Sequence, residues 1–423
     1  GLFWKELAAI YNSGGTAADA PLPGLLAQYD DFAYWQREWL EGGRLEGQLE
    51  FWKRTLADLP QPLVLPSDFP PPDSLSDCGR LAKRKLPAGL TSQLQALAAS
   101  AGTSMFTVAM LGYRLLLGRY RENDGIVIGT PVANRRLRET SDLIGFFLGT
   151  LAIRSDFSDN PSVTEALSRV RASCQEAISN QDAPFDAVVD EVHRDRRGGV
   201  HPVFQVMFVY QREQEAAPEV ELDGTRLRPT YIETTTSKFD LTLFGAEVDG
   251  SLEAIAEYRT DLFESDTIDR LLGHYENMLA QMVAAPDCRV ASLDYLGAVE
   301  TQQILEESSG SEASLEGLPL LPDQIAGALR HGSTAVIAPD GELDAGRLQQ
   351  LADGVAGELL EKGVRRGGLI GVYADRSTAA IAAILGIQKA GCAYVPIDPS
   401  YPVERNRFVL RDAEIHHLVV GEE

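Results

Sequence analysis

The feature that most limits this chain is a change of rhythm near residue 318. Beyond it, short apolar runs alternate with single amphipathic helical stretches. Ala335 to Ala338 reads as a strand, and Leu348, Leu351, Ala352, Val355 and Leu359 form the inner stripe of a helix ending near Gly363. Leu369 to Tyr373, Tyr394 to Ile397 and Leu418 to Val420 read as further strands, with helices over Thr378 to Lys389 and Val403 to Arg411. Strands separated by single helices imply right-handed crossovers and a parallel sheet. The spacing therefore predicts an α/β fold over residues 319–423, with a sheet still short where the sequence stops.

Upstream the pattern is different. Residues 1–72 read as helices broken by turns. Phe3, Trp4, Leu7 and Ile10–Tyr11 recur at helical spacing before Asn12–Ser13–Gly14–Gly15, and further helices run from about Tyr29 to Leu40 and Leu45 to Leu56. Pro60, Pro62, Pro66 and Pro70–Pro71–Pro72 then make an extended connector. Residues 73–297 mix helices (Leu90 to Ala99, Ser104 to Tyr120) with strands (Gly125 to Pro131, Leu148 to Arg154, Val203 to Tyr210). Phe239 to Val248 and Leu252 to Tyr258 face each other across Asp249–Gly250, a hairpin signal, so this region reads as α+β. Residues 298–318 hold five Glu, four Ser and no Lys or Arg, which predicts a solvated linker between the two rhythms.

Charge excludes some partners. Lys and Arg number 38 against 62 Asp and Glu, a net charge of −24, so the surface repels phosphate backbones and anionic lipid. Neither nucleic acid nor membrane is expected as a partner, and Arg194–Asp195–Arg196–Arg197 reads as a solvated run. Cys78, Cys174, Cys288 and Cys392 lie far apart without a Cys-x-x-Cys pair, which fits a reducing, cytoplasmic setting. The longest apolar run, Ala379 to Ile387, falls well short of the roughly 18 residues of a membrane span. The sequence opens at Gly1 without Met or a signal peptide, as expected for an excerpt of a longer polypeptide.

Generic motifs name no chemistry. His193, His201, His274, His331, His416 and His417 include no His-x-x-x-His spacing, so no metal site is expected. There is no Gly-x-Ser-x-Gly elbow, no Gly-x-x-x-x-Gly-Lys-Ser/Thr loop and no Gly-x-Gly-x-x-Gly fingerprint.

Longer phrases are more specific. Tyr29-Asp-Asp-Phe-Ala-Tyr-Trp-Gln-Arg37 and Leu49-Glu-Phe-Trp-Lys53 are followed by Gly129-Thr-Pro-Val-Ala-Asn-Arg135 and Ile144-Gly-Phe-Phe-Leu-Gly-Thr-Leu-Ala-Ile-Arg154. Asn180-Gln-Asp-Ala-Pro-Phe-Asp186, His201-Pro-Val-Phe-Gln-Val-Met-Phe208 and Ser237-Lys-Phe-Asp-Leu-Thr242 complete the series. In this order they resemble the condensation domains of nonribosomal peptide synthetases. Beyond the linker, Glu342-Leu-Asp-Ala through Lys362-Gly-Val364 and Lys389-Ala-Gly-Cys-Ala-Tyr-Val-Pro-Ile-Asp-Pro-Ser-Tyr-Pro402 with Arg405 resemble the first conserved blocks of an adenylation domain.

The resemblance implies two chloramphenicol-acetyltransferase-like lobes, the first truncated, followed by the parallel-sheet start of an adenylate-forming domain. Residues 1–72 would be the remnant of the first lobe and its crossover, 73–297 the second lobe, 298–318 the linker and 319–423 the adenylation part. The implied reaction joins two thioesters held on 4′-phosphopantetheine arms of upstream and downstream peptidyl carrier proteins, whose tethering raises their effective concentration. The rest of the adenylation domain is a third implied partner. The fragment itself is expected to bind no cofactor; the complete adenylation domain would use Mg-ATP.

The family's reactive His-His-x-x-x-Asp-Gly is absent, so no residue here is expected to be catalytic and the fragment should be inactive alone. The motif is expected to end shortly before Gly1. His416-His417-Leu-Val-Val-Gly421 imitates its start without the Asp and reads as the beginning of a strand. Arg135 matches the arginine that would pair with the missing Asp. Gly149 stands where the family often has Asn. Gln181, Asp182, Phe204, Gln205 and Asp240 are implied lobe-packing or tunnel-lining residues. Gly391, Tyr394, Pro396, Asp398, Pro399, Tyr401 and Arg405 form a strand-and-turn block read as architectural. A degenerate domain kept as a docking scaffold is a rival reading, hinted by Gly149. A stand-alone acyltransferase is another, opposed by the adenylation block.

Overall fold

The computed structural model describes residues 1–15, 19–59, 63–72, 76–120, 125–192, 201–212, 219–227, 235–310, 316–329 and 332–421. His193, the Arg194–Arg197 run, His331, Pro60 and Pro62 lie outside the described residues. The chain divides into two compact units, Gly1–Ser308 and Ser309–Glu423.

The first unit opens with helices α1 (Leu2–Asn12), α2 (Tyr29–Leu40) and α3 (Arg44–Thr55). Then follow β1 (Gly79–Lys85), α4 (Ala88–Ser100), α5 (Met105–Tyr120), β2 (Val127–Val132), β3 (Gly149–Arg154), α6 (Val163–Ser179) and α7 (Phe185–Val192). β4 (Val206–Gln211), the small pair β5 (Val220–Leu222) and β6 (Thr225–Leu227), β7 (Leu241–Val248), β8 (Ser251–Arg259), α8 (Ser265–Ala284) and α9 (Ala298–Ser309) complete it. Six strands form one sheet in the order β1-β8-β7-β4-β2-β3. β4 is parallel to both neighbours, β2 and β7, while the flanking pairs are antiparallel.

Local chemistry accounts for these elements. Asp249 and Gly250 both take positive φ, 50° and 70°, the two-residue turn whose twist matches a hairpin, and Val248 pairs with Ser251 across it. Helix α5 is buried from Thr107 to Leu117, as a helix apolar on nearly every face must be. It packs with α8, α6 and β4 in one core that includes Leu111, Leu116, Phe208, Tyr275 and Leu279. Truncating a fully buried leucine such as Leu116 to alanine would cost about 2–5 kcal/mol.

In the second unit, α10 (Leu321–Ala328), β9 (Thr334–Ala338), β10 (Gly341–Asp344) and α11 (Ala345–Glu361) precede β11 (Leu369–Tyr373), α12 (Thr378–Lys389), β12 (Ala393–Ile397), α13 (Val403–Asp412) and β13 (His417–Val420). β11 lies between β12 and β13 in a parallel sheet, as the alternation predicts. Side-chain caps start two of its helices, α11 and α12: Asp344 accepts from Arg347 N–H at 2.9 Å and Ser377 from Ala380 N–H at 3.1 Å. One expectation is corrected. The strand near Ala335 does not join the parallel sheet; β9 pairs antiparallel with β10. Pro339, Asp340 and Gly341, with Gly341 at φ 136°, reverse the chain before a crossover helix can form.

Where a solvated linker is expected over 298–318, the first twelve residues form α9, which has no buried residue. No single helix among the described residues is long and apolar enough to cross a membrane.

Candidate functional site

Helix α2 builds one wall of a cleft. Gln28 and Asp31 close a capping box at its start, with Gln28 N–H donating to Asp31 Oδ2 at 2.8 Å. Helical spacing then lines up Phe32, Trp35 and Trp39, with successive ring centroids 5.8 and 5.9 Å apart. Phe32 packs on Phe147 at 4.6 Å beside the buried Leu143, and Tyr29 O–H donates to Phe146 O at 2.8 Å. Two phrases more than a hundred residues apart in sequence meet here.

The segment after β2 forms the opposite wall. Asn134 takes φ 48°, a left-handed conformation that asparagine tolerates, and the two arginines after it part company. Arg135 donates to Thr140 O and lays its guanidinium over the Phe147 ring, 4.2 Å from the centroid. Arg136 instead reaches Asp182, Nη1 to Oδ2 2.8 Å. The Asp182 carboxylate also accepts from Gln48 Nε2 at 3.2 Å, and Gln48 Oε1 accepts from Ala183 N–H at 2.8 Å. Gln48, Gln181 and Asp182 are all buried. This network joins α3, the loop after β2 and the turn after α6. Phe32, Trp35 and Trp39 on one side and Asn134, Arg136 and Asp182 on the other enclose about 250 Å³.

Gly149 starts β3 opposite Val132. A Cβ there would lie 3.1 Å from Val132 Cγ1 and 3.9 Å from Gln181 O, so the space that a larger residue needs is held by Val132.

A second cluster surrounds the start of β4. Phe204 is buried against Phe185 and Phe239, with centroids 5.6 and 5.4 Å away, and its ring occupies the place a Cβ on Gly129 would take. Gln205 ties two loops together: Oε1 accepts from Leu63 N–H at 2.6 Å and Nε2 donates to His201 O at 2.7 Å. His201 Nδ1 accepts from Phe204 N–H at 3.3 Å and Val203 N–H at 3.4 Å, and burial pushes the imidazole below its ordinary value. Asp240 lies 3.5 Å from Arg259 Nε; burial raises its carboxyl above the usual range, opposed by the Arg259 charge.

In the second unit, Gly391 at φ 76° packs under Arg366, whose Cγ would be 2.8 Å from an added Cβ. Tyr394 and Pro396 are exposed on β12. Asp398 caps the following turn, accepting from Ser400 N–H at 2.8 Å and Oγ at 2.6 Å, and the serine bonds hold its carboxyl below the usual range. Pro399 is half-buried in that turn, and Arg405 lies over Tyr401 at 4.7 Å.

Sequence reasoning missed Arg136, Gln48 and Arg259, since each acts on a partner distant in the chain and carries no local signal. His417 opens β13 in the second unit, directly after His416, so neither belongs to the clusters of the first. Among the described residues no group of His, Cys, Asp or Glu could hold a metal ion.

Comparison with known proteins bears on both units. Residues 1–305 match the family of the condensation domain, and residues 324–423 match that of the AMP-binding enzyme. A linear gramicidin synthase from Brevibacillus parabrevis is 38% identical over 425 residues, covering 100% of this chain but 6% of that protein. The phosphinothricin tripeptide synthetase PhsC of Streptomyces viridochromogenes is 38% identical over 419 residues, 97% of this chain and 38% of its own length. The chain thus spans well under half of either relative. Among solved structures, a four-domain nonribosomal peptide synthetase, holo-AB3403 bound to AMP and glycine, is similar at TM-score 0.68 and 26% identity over 89% of this chain and 30% of its own. The X-domain from teicoplanin biosynthesis, solved as a complex with OxyB, is similar at TM-score 0.62 and 28% identity over 70% of this chain and 66% of its own.

Proposed function

The chain belongs to the condensation-domain family, with the start of an AMP-binding domain behind it, and from that premise we propose that its first unit lends the walls of a channel for amide formation. Two acyl groups enter as thioesters on carrier-protein pantetheine arms. The acceptor's amine attacks the donor's thioester carbonyl; a C–N bond forms, the C–S bond breaks, and the donor arm leaves as a thiolate that takes up the proton lost by nitrogen. Holding both reactants in one passage supplies much of the rate, since the thioester is already activated.

In this reading Gln181, Asp182, Phe204, Gln205 and Asp240 hold the shape of the passage rather than move protons, and Arg135 braces the loop across Phe147. The reacting imidazole comes from outside these 423 residues, because the sequence contains no His-His-x-x-x-Asp-Gly. The Gly391–Arg405 block is architectural. In this reading adenylation with Mg-ATP belongs to the complete adenylation domain.

One observation carries the proposal: the two family matches follow each other in a single chain, and identity to a peptide synthetase runs through both. In the parent synthetase, loading donor and acceptor carriers should yield a dipeptidyl thioester on the acceptor carrier. A synthetase that loads both carriers yet never transfers overturns the reading. That outcome supports a docking scaffold instead, a second reading favoured by Gly149 and by likeness to an X-domain solved with a bound partner.

A further inference from the structure

The cleft between α2 and the loop after β2 contains more hydrogen-bonding capacity than the protein itself uses. Arg136 spends Nη1 on Asp182, while its side chain stays 53% exposed and its other N–H donors have no partner among the described residues. Asn134 and Gln36 also line the cleft, and neither side-chain amide has a partner among the described residues. Arg136 and Asn134 face the Phe32, Trp35 and Trp39 row, and Gln36 stands on the same helix as that row. Flat aromatic walls with a few convergent polar groups are the usual make-up of a small-molecule subsite. The particular set is selective. Guanidinium and amide N–H groups suit carbonyl oxygens, the amide oxygens of Asn134 and Gln36 suit N–H donors, and indole faces accept planar groups.

We propose that this cleft binds the secondary amides of a tethered acyl chain, with Arg136 and Asn134 donating to their carbonyls and Trp35 and Trp39 covering their planes. The buried Asp182 carboxylate and Gln48 fix the guanidinium so that its free edge is aimed before the chain arrives, which lowers the ordering cost of binding. The proposal rests on the amide-forming reading above. Two chains in that reaction carry secondary amides: a peptidyl donor and the pantetheine arm.

The test uses the parent synthetase with aminoacyl, dipeptidyl and tripeptidyl donors on the same carrier. Arg136→Lys keeps the charge facing Asp182 but loses the second branch of donors; Gln36→Leu removes an amide at similar volume. Each should raise the donor KM about tenfold, with kcat nearly unchanged, as expected for loss of one hydrogen bond from a charged or amide group. A loss that grows with donor length assigns the amides to the peptide, and an equal loss for every donor assigns them to the arm. If wild type forms amides and both variants match it for all donors, this proposal fails while the amide-forming reading stands. If wild type forms none, the reading itself fails.

Discussion

Arg136 Nη1 lies 2.8 Å from Asp182 Oδ2, whereas the adjacent Arg135 turns its guanidinium onto the Phe147 ring at 4.2 Å. Two neighbouring arginines thus serve different joints: one ties the loop after β2 to α3 and the turn after α6, the other braces the loop against α2's aromatic anchor. Of the two, Arg136 pairs with a carboxylate among the described residues, whereas the Asp that the family resemblance implies as the partner of Arg135 belongs to a motif this sequence does not contain.

This division predicts different coupling. In a double-mutant cycle on unfolding free energy, Arg136→Ala and Asp182→Asn should be non-additive by about 1 kcal/mol. The value stays modest because the arginine is half-exposed and Gln48 also serves the carboxylate. Arg135→Ala with Asp182→Asn should be additive within about 0.3 kcal/mol. Denaturant unfolding of the four variants decides it, and equal coupling for both arginines would contradict the assignment.

His201 gives a pH dependence with a definite sign. Burial holds the folded imidazole below its ordinary value of 6.5, so the unfolded chain binds the proton more readily. Protonation would also cost the ring its acceptor role toward the Val203 and Phe204 N–H groups. The contribution is therefore intact above about pH 6.5 and is lost as pH falls through the folded value. The slope should stay below the one-proton limit of about 1.4 kcal/mol per pH unit, because the ring is partly open to water. His201→Asn, which keeps an acceptor without a titrating group, should flatten the profile. Urea midpoints at pH 7.5, 6 and 5 test this; parallel profiles for both proteins would refute it.

Much of the fold is legible in the sequence because local periodicity and packing agree. α2, β11 and α12 begin and end where the apolar spacing places them, and Asp249–Gly250 turns as such pairs do. β1 is not legible: Gly79–Lys85 carries Arg80, Lys83, Arg84 and Lys85, charges suited to an edge strand, and presents no apolar run. The direction of β9 departs from expectation because a turn of Pro339, Asp340 and Gly341 outweighs the alternation around it. The Gln48–Asp182–Arg136 network is invisible for a different reason. Its members are 134 and 46 positions apart, so only the fold brings them together.

A last prediction concerns the end of the first unit. Tyr120 Oη lies 2.6 Å from His274 Nδ1, and His274 Nε2 lies 2.7 Å from Glu300 Oε2. Burial raises the Tyr120 phenol well above its ordinary value, so the hydroxyl keeps its proton beside Nδ1. The Glu300 carboxylate can only accept, so Nε2 of His274 carries a hydrogen and donates to it. The chain of bonds ties α9, which has no buried residue, to the buried His274 on α8. Glu300→Ala should therefore loosen α9 while leaving α8 intact. Losing a hydrogen bond to a charged group is worth about 1.5–3 kcal/mol, so α9 amides should exchange with deuterium roughly tenfold faster or more. Tyr120→Phe should act in the same direction more weakly, since the Nε2–Glu300 bond survives. Unchanged exchange in α9 for Glu300→Ala would show that the helix is held by something else.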